Sequence, residues 1–232
     1  MKGQHRPVVV IGWPGDGVVV SEGIRQAEAA GAPMTLAGFL TNEVAKGESV
    51  HGIDVLGSLE DWCSLDPSCM FMPAIYVAKE TPERAARLKA LAIPDERWAT
   101  VCHPMSCIAS DVEIGVGTFL ASFVTVQPGA RIGRWASLRA GANVGHDAQV
   151  SDYCYVGPNA TLGGHARLME GAHLAPNAVV LNGKCVGRFA VVGVGSAVTK
   201  NVEDYSVMLA PPARRVSKVT HVDPEGAEWM KP

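Results

Sequence analysis

The sequence predicts an α/β N-terminal domain of Rossmann-like type joined to an all-β parallel β-helix. Two observations carry that expectation. Every sixth residue from Ile108 to Val198 is Ile, Leu or Val, sixteen positions in all with no insertion. Upstream, apolar runs alternate with helical patterns and glycines. Six residues advance an α-helix by roughly 600°, so the sixteen leads would leave no stripe on a helix. In an extended chain, a lead and the residue two before the next lead point to the same side. That second position is usually small, as at Ala130, Ala136, Ala142, Cys154 and Ala160. Short strands and turns wound into a coil satisfy both positions. The expected divisions are residues 1–100, 101–200 and a tail at 201–232.

Composition narrows the function. The chain has 232 residues, 47% apolar, with a formal net charge of −3. No broad basic field exists, so nucleic acid is not an expected partner. The run in MKGQHRPVVVIGWPG is too short for a signal peptide, and no stretch approaches a membrane span, so no membrane insertion is expected. Six scattered cysteines without a CxxC read as reduced and structural, which suits the cytoplasm.

Taken in order, residues 7–12 read as a buried parallel strand ending in glycine. Gly12, Gly15 and Gly17 then form G-x-x-G-x-G, followed by a helix that ends at Gly31. A glycine turn at a helix start can offer backbone N–H groups to phosphate. The spacing is not the dinucleotide G-x-G-x-x-G, so NAD is not expected. A second strand is expected at 34–40, a short strand or turn at 52–57, and a small helix capped by Ser58. A third strand covers 69–75. A helix follows at 81–91, with Thr81 as its cap and Glu83 in its first turn. The repeat holds fifteen complete hexads, or five coils of 18 residues if three hexads make a turn. Lys184 occupies a small-residue slot: either the corner opens there, or the stem runs along the wall to solvent. The tail is Pro-interrupted and expected to pack back on the coil, with residues 221–232 loosely ordered.

The residues with chemistry sit in and around the coil. His146 lies two after the lead Val144, a phase pointing away from the core, and imidazole titrates near neutral pH. Asp147 could hold that ring in one tautomer and stabilise the imidazolium. A solvated surface pair is the alternative. Residues 18 apart stack, which groups His146 with Pro128, Gly164 and Asn182, and Tyr155 with His173. Gly164 leaves room for a bulky group and has a free N–H if it sits at a turn; a plain turn glycine is the alternative.

The chain resembles the hexapeptide-repeat acyltransferases, and within them the sialic-acid O-acetyltransferase-like family with its bacterial nucleotide-aminosugar N-acetyltransferases of the bacillosamine and perosamine type. The carrying residues are the glycines at 12–17, G-I-D-V-L-G at 52–57 and His103-Pro104. Further matches are Gly141-Ala142-x-Val144-x-His146-Asp147, Gly193-x-Gly195-Ser196-Ala197-Val198-Thr199-Lys200 and Pro212-Ala213. The resemblance implies a left-handed coil, homotrimers, and acetyl-CoA in the groove between neighbouring coils. It places a nucleotide-linked amino sugar between the N-terminal domain of one subunit and the next coil. His146 is implied as general base and Asp147 as its supporting acid. Gly164 is implied as the amide contacting the acetyl carbonyl, and Tyr155, Asn182, Pro176 and Val194 as coenzyme contacts. Gly12, Gly15, Asp16, Gly17, Asn42, Gly57 and Arg139 are implied on the acceptor side, with no metal. Three positions depart from the pattern: Asp16 replaces a usual His, Asn42 a usual Asp and Arg139 a common Asn. Asp16 and Arg139 either compensate each other or signal a different sugar or nucleotide. The implied reaction is N-acetylation of the sugar amine. O-acetylation, a zinc γ-type carbonic anhydrase using His146, His165 and His173, and a non-catalytic scaffold are the alternatives.

Overall fold

A computed structural model describes residues 5–218. The first apolar run forms β1 (Arg6–Gly12), followed by α1 (Pro14–Ala29), β2 (Met34–Leu40), β3 (Ser49–Val50), β4 (Ile53–Gly57), β5 (Met70–Ala74) and α2 (Thr81–Ala90). The sheet order is β3-β4-β2-β1-β5; β4, β2, β1 and β5 run parallel, and β3 is an antiparallel edge. The edge strand was not expected. It pairs with β4 around His51 and Gly52, both at positive φ (49° and 73°), the conformation a tight two-residue hairpin needs.

Two boundaries differ from the sequence reading. The helix α1 begins at Pro14, where a missing N–H costs nothing. Gly15 and Gly17 therefore lie inside the helix, and the Gly17 N–H is spent on the Trp13 carbonyl at 2.9 Å. Gly12 carries the tight junction: its φ is 135°, and a Cβ there would meet the Ala74 carbonyl oxygen at 2.2 Å. The second difference is at α2, where Glu80 holds the cap position and Thr81 is already helical. The proline next to Thr81 sits in the first turn, and the Thr81 hydroxyl donates to the Val77 carbonyl at 3.1 Å. Ser58 caps its short 3₁₀ helix as expected, with its N–H and hydroxyl both donating to Asp61 (2.8 and 3.0 Å).

After β6 (Val101–Cys102) come sixteen two-residue strands, β7–β22, from Cys107–Ile108 to Ala197–Val198, each ending on one of the leads. They pair 18 residues apart and in parallel, as in Thr125 with Asn143 and Asn143 with Thr161. The result is three flat sheets around one core. From Val126 onward every lead is buried, and the small slots at Ala130, Ala142, Cys154 and Ala166 are fully enclosed. Ile108 and Ile114, in the first coil, are half-buried. The ladder continues past Lys184, whose carbonyl accepts the Arg167 N–H at 2.8 Å, so the corner does not open.

The tail adds strands instead of only packing against the coil. Val202 bridges to Val186. Then β23 (Ser206–Leu209) pairs in parallel with Val191–Val192, and β24 (Arg214–Lys218) turns back antiparallel along β23. Residues 221–232 lie outside the described residues. No helix among the described residues is long and apolar enough to cross a membrane.

One hydrophobic core runs from Val10 and Met72 through Ala99 and Phe119 into the coil. The helix α1 sits on the coil through Gly23, where a Cβ would come within 2.4 Å of the Phe119 ring. That close seat fixes the hollow between α1 and the coil.

Candidate active site

The chemistry-bearing residues fall into two groups, one coil face apart. The first lies at the corner after Asn143–Val144. His146 Nδ1 lies 2.8 Å from Asp147 Oδ2, and Asp147 adopts a left-handed turn (φ 55°) that swings its carboxylate back to the ring. This hydrogen bond is the largest cause holding the Asp147 carboxyl below its ordinary range. With Nδ1 donating to a carboxylate, Nε2 is the ring's open basic pole. It rests on Gly164, at 2.5 Å from where a Cβ would stand. The Gly164 N–H makes no hydrogen bond among the described residues. Asn182 continues the column, with its side-chain oxygen toward Gly163.

His165 belongs to this corner too. It stands 19 residues from His146, one position past the stacked column. Both residues sit at neighbouring turns, however, and their rings meet edge to face at 4.9 Å. His146, Asp147 and His165 offer three ligand atoms within 4.8 Å of one another, all on exposed side chains. His173 lies elsewhere, stacked flat against Tyr155 at 4.3 Å, so the three histidines do not converge within the chain.

The second group lines a cavity of about 800 Å³ between α1 and the coil. Gly15, Asp16, Arg139 and Tyr155 are in its wall, together with Trp13, Tyr76, Phe119 and His103. Asp16 and Arg139, the two departures noted above, form a buried ion pair across it. Burial lowers the Arg139 pKa, opposed by the Tyr155 hydroxyl. His103 Nδ1 accepts the Met105 N–H (3.0 Å), which leaves Nε2 to donate to Gln26. Arg84 lies over the Trp13 ring at 3.7 Å and is paired with Glu80. No local pattern marks Trp13 or Tyr76, so sequence reasoning missed both; Tyr76 reaches the wall by donating to the Trp135 carbonyl.

The remaining candidates are placed as follows. Ser122, Ala140 and Pro158 line the cavity, and Pro176 and Val194 continue their column at 18-residue steps. Val194 is 68% exposed and Pro176 half-buried. Gly17 is buried under the Phe39 ring, away from any open surface. Asn42 accepts the Leu59 N–H (2.8 Å) and donates to Glu60, so both ends of its amide are engaged locally. Gly57 is buried against Asp61. Neither Asn42 nor Gly57 lines the cavity.

His173 makes one consequence measurable. Burial, then the Arg139 charge, pulls its pKa down to about 4. The unfolded chain binds the proton near 6.5, so stability is full above that pH and falls as pH drops toward 4. The loss is on the order of 3 kcal/mol for a shift of this size. Thermal melts of His173→Phe should show a flatter dependence of Tm on pH between 6.5 and 4 than the parent; identical slopes would refute the buried neutral imidazole.

No protein-family model matches the sequence, and no curated protein does either. Solved structures do. The chain is similar to PerB from Caulobacter crescentus, determined with CoA and GDP-perosamine: TM-score 0.79, 25% identity, covering 91% of this chain and 97% of that one. It is also similar to the acetyltransferase domain of PglB from Neisseria gonorrhoeae, determined with acetyl coenzyme A: TM-score 0.77, 23% identity, 91% and 99% covered. A third likeness is WeeI from Acinetobacter baumannii: TM-score 0.69, 22% identity, 90% and 100% covered. In each case the likeness spans both the N-terminal sheet and the coil.

Proposed function

We propose that this chain is an acetyl-CoA-dependent N-acetyltransferase acting on the amino group of a nucleotide-linked amino sugar. The observation that carries the reading is the His146 corner: an imidazole oriented by Asp147, with its Nε2 beside an uncommitted Gly164 amide. The amine nitrogen attacks the thioester carbonyl, and its proton passes to His146 Nε2. The Gly164 N–H donates to the developing oxyanion. As the C–N bond forms and the C–S bond breaks, the proton is returned to the leaving thiolate. Tyr155, Asn182, Pro176 and Val194 are the proposed coenzyme contacts. Gly12, Gly15, Asp16, Gly17, Asn42, Gly57 and Arg139 are the proposed acceptor side, with Asn42, Gly17 and Gly57 acting through the backbone they hold. PerB, determined with CoA and GDP-perosamine, supports both substrates.

The working unit in this reading is a homotrimer. His146 and the cavity lie at different corners of one coil. A neighbouring copy would bring its His146 corner to the cavity and the Pro176–Val194 column, placing base, thioester and amine together. A left-handed coil, a Rossmann-like domain over 1–100, a coil domain over 101–200, a tail domain beyond it, and a cytoplasmic location complete the proposal.

The test is release of CoA thiol from acetyl-CoA, measured against a panel of nucleotide-linked amino sugars and their hydroxyl counterparts. Turnover with at least one amine is expected. Turnover with hydroxyl sugars alone would replace N-acetylation by O-acetylation, and none with either would refute acetyl transfer.

A further inference from the structure

We propose that the cavity beside α1 holds the hexose ring of the acceptor, and that the Asp16–Arg139 pair reads two adjacent ring hydroxyls. The proposal deepens the N-acetyltransferase reading and rests on it.

The cavity volume of about 800 Å³ suits one sugar ring with part of its nucleotide. Its walls are mainly apolar, from Trp13, Val18, Phe119 and Tyr155, which matches the C–H face of a sugar. Among its polar groups, which also include Glu22, Gln26, Arg84 and His103, the ion pair lies deep, with side chains 11% (Asp16) and 6% (Arg139) exposed. Arg139 Nη2 is committed to Asp16 Oδ1. Arg139 Nε and Nη1 and Asp16 Oδ2 are buried with no partner in hydrogen-bonding geometry among the described residues, the Tyr155 hydroxyl acting on Arg139 as a nearby favourable group. Each such orphan is a desolvated polar group left unpaired, so a ligand that satisfies them is favoured by what it restores.

The orphans of the pair itself select the ligand group that meets it: two donors and one acceptor, with Arg84 Nη1 a further unpaired donor on the same wall. A diphosphate offers acceptors alone and would face the Asp16 charge. The local charges balance, Asp16 and Glu22 against Arg84 and Arg139, and Arg84 holds Glu80 through Nε and Nη2. A base edge presenting two adjacent N–H groups would need both Asp16 oxygens, and one is spent on Arg139. A hydroxyl both donates and accepts. Two neighbouring hydroxyls can give one hydrogen to Asp16 Oδ2 and two lone pairs to Arg139.

Titration calorimetry on the full chain tests this without acetyl-CoA present. The probes are guanosine-, uridine- and thymidine-diphosphate-linked amino hexoses with adjacent free hydroxyls, their monodeoxy counterparts, and the three nucleoside diphosphates. The dihydroxy sugar of at least one nucleotide should bind about a hundredfold tighter than its monodeoxy form, because losing the hydroxyl re-exposes a buried orphan. Asp16→Asn should shrink that ratio to about threefold or less. Arg139→Lys should do the same, and serves if Asp16→Asn does not fold. Equal binding of dihydroxy and monodeoxy sugars by the parent protein would overturn the proposal. So would a ratio untouched in either folded variant, or a nucleoside diphosphate bound as tightly as its sugar with the same Asp16 dependence. Thiol release is read separately. Selective binding without acetyl transfer would overturn the catalytic reading alone, and transfer without selectivity would overturn this one alone.

Discussion

His146→Ala is expected to slow acetyl transfer by about 10²–10⁴-fold, the usual worth of a positioned general base. The loss should fall on kcat, since the imidazole acts on a proton that moves only as the carbon–nitrogen bond forms. The side chain is 56% exposed and buries no core contact, so Tm should stay within a degree or two. Initial rates of thiol release with saturating acetyl-CoA, next to a thermal melt, separate the two effects. A variant that folds and keeps its kcat would take the base role away from His146. Asp147→Asn makes the companion measurement. It keeps the shape of the corner but removes the charge that orients the ring, so it should retain more activity than His146→Ala and still lose most of it.

Gly164→Ala is expected to cost about a hundredfold in kcat without unfolding the coil. Its φ is not in the left-handed region, so the backbone accepts a side chain there. The methyl group, however, would stand 2.5 Å from His146 Nε2 and 2.9 Å from both adjoining ring carbons. Nothing but the imidazole can yield, and a displacement near 1 Å at a reacting group costs about 10² in rate. Because both substitutions act on one ring, they should not add: His146→Ala with Gly164→Ala should be no slower than His146→Ala alone. Multiplied losses in the double variant would mean that Gly164 works independently of the ring.

The coil was legible because its constraint is strictly local. A two-residue strand needs one inward branched residue per hexad, and each lead from Ile108 to Val198 ends a strand. Long-range geometry was not legible in the same way. Counting whole turns of 18 residues leaves His165 one position outside the His146 column, yet the rings touch because side chains at adjacent corners lean across one residue of offset. The glycines near residue 15 looked like a loop because glycine is rare inside helices; the reason for Gly17 is the Phe39 ring, which no neighbouring position reveals. Asp16 and Arg139 stood out as a possible compensating pair, and they do meet. The cavity they cross needs Trp13, Tyr76 and Phe119 brought together from three elements, and no spacing in the chain encodes that.

The antiparallel turn that closes the described residues bears on assembly. Every other strand of the coil runs parallel to its neighbours and would accept another of its kind, so a bare terminal coil is a template for end-to-end growth into filaments. On the eight-stranded face, β24 ends that series in the opposite direction. It also carries Arg214 and Arg215 at the rim, Arg215 being paired with Glu203. A strand from a second molecule that kept the direction of the coil would have to pair antiparallel with β24, beside a charged border.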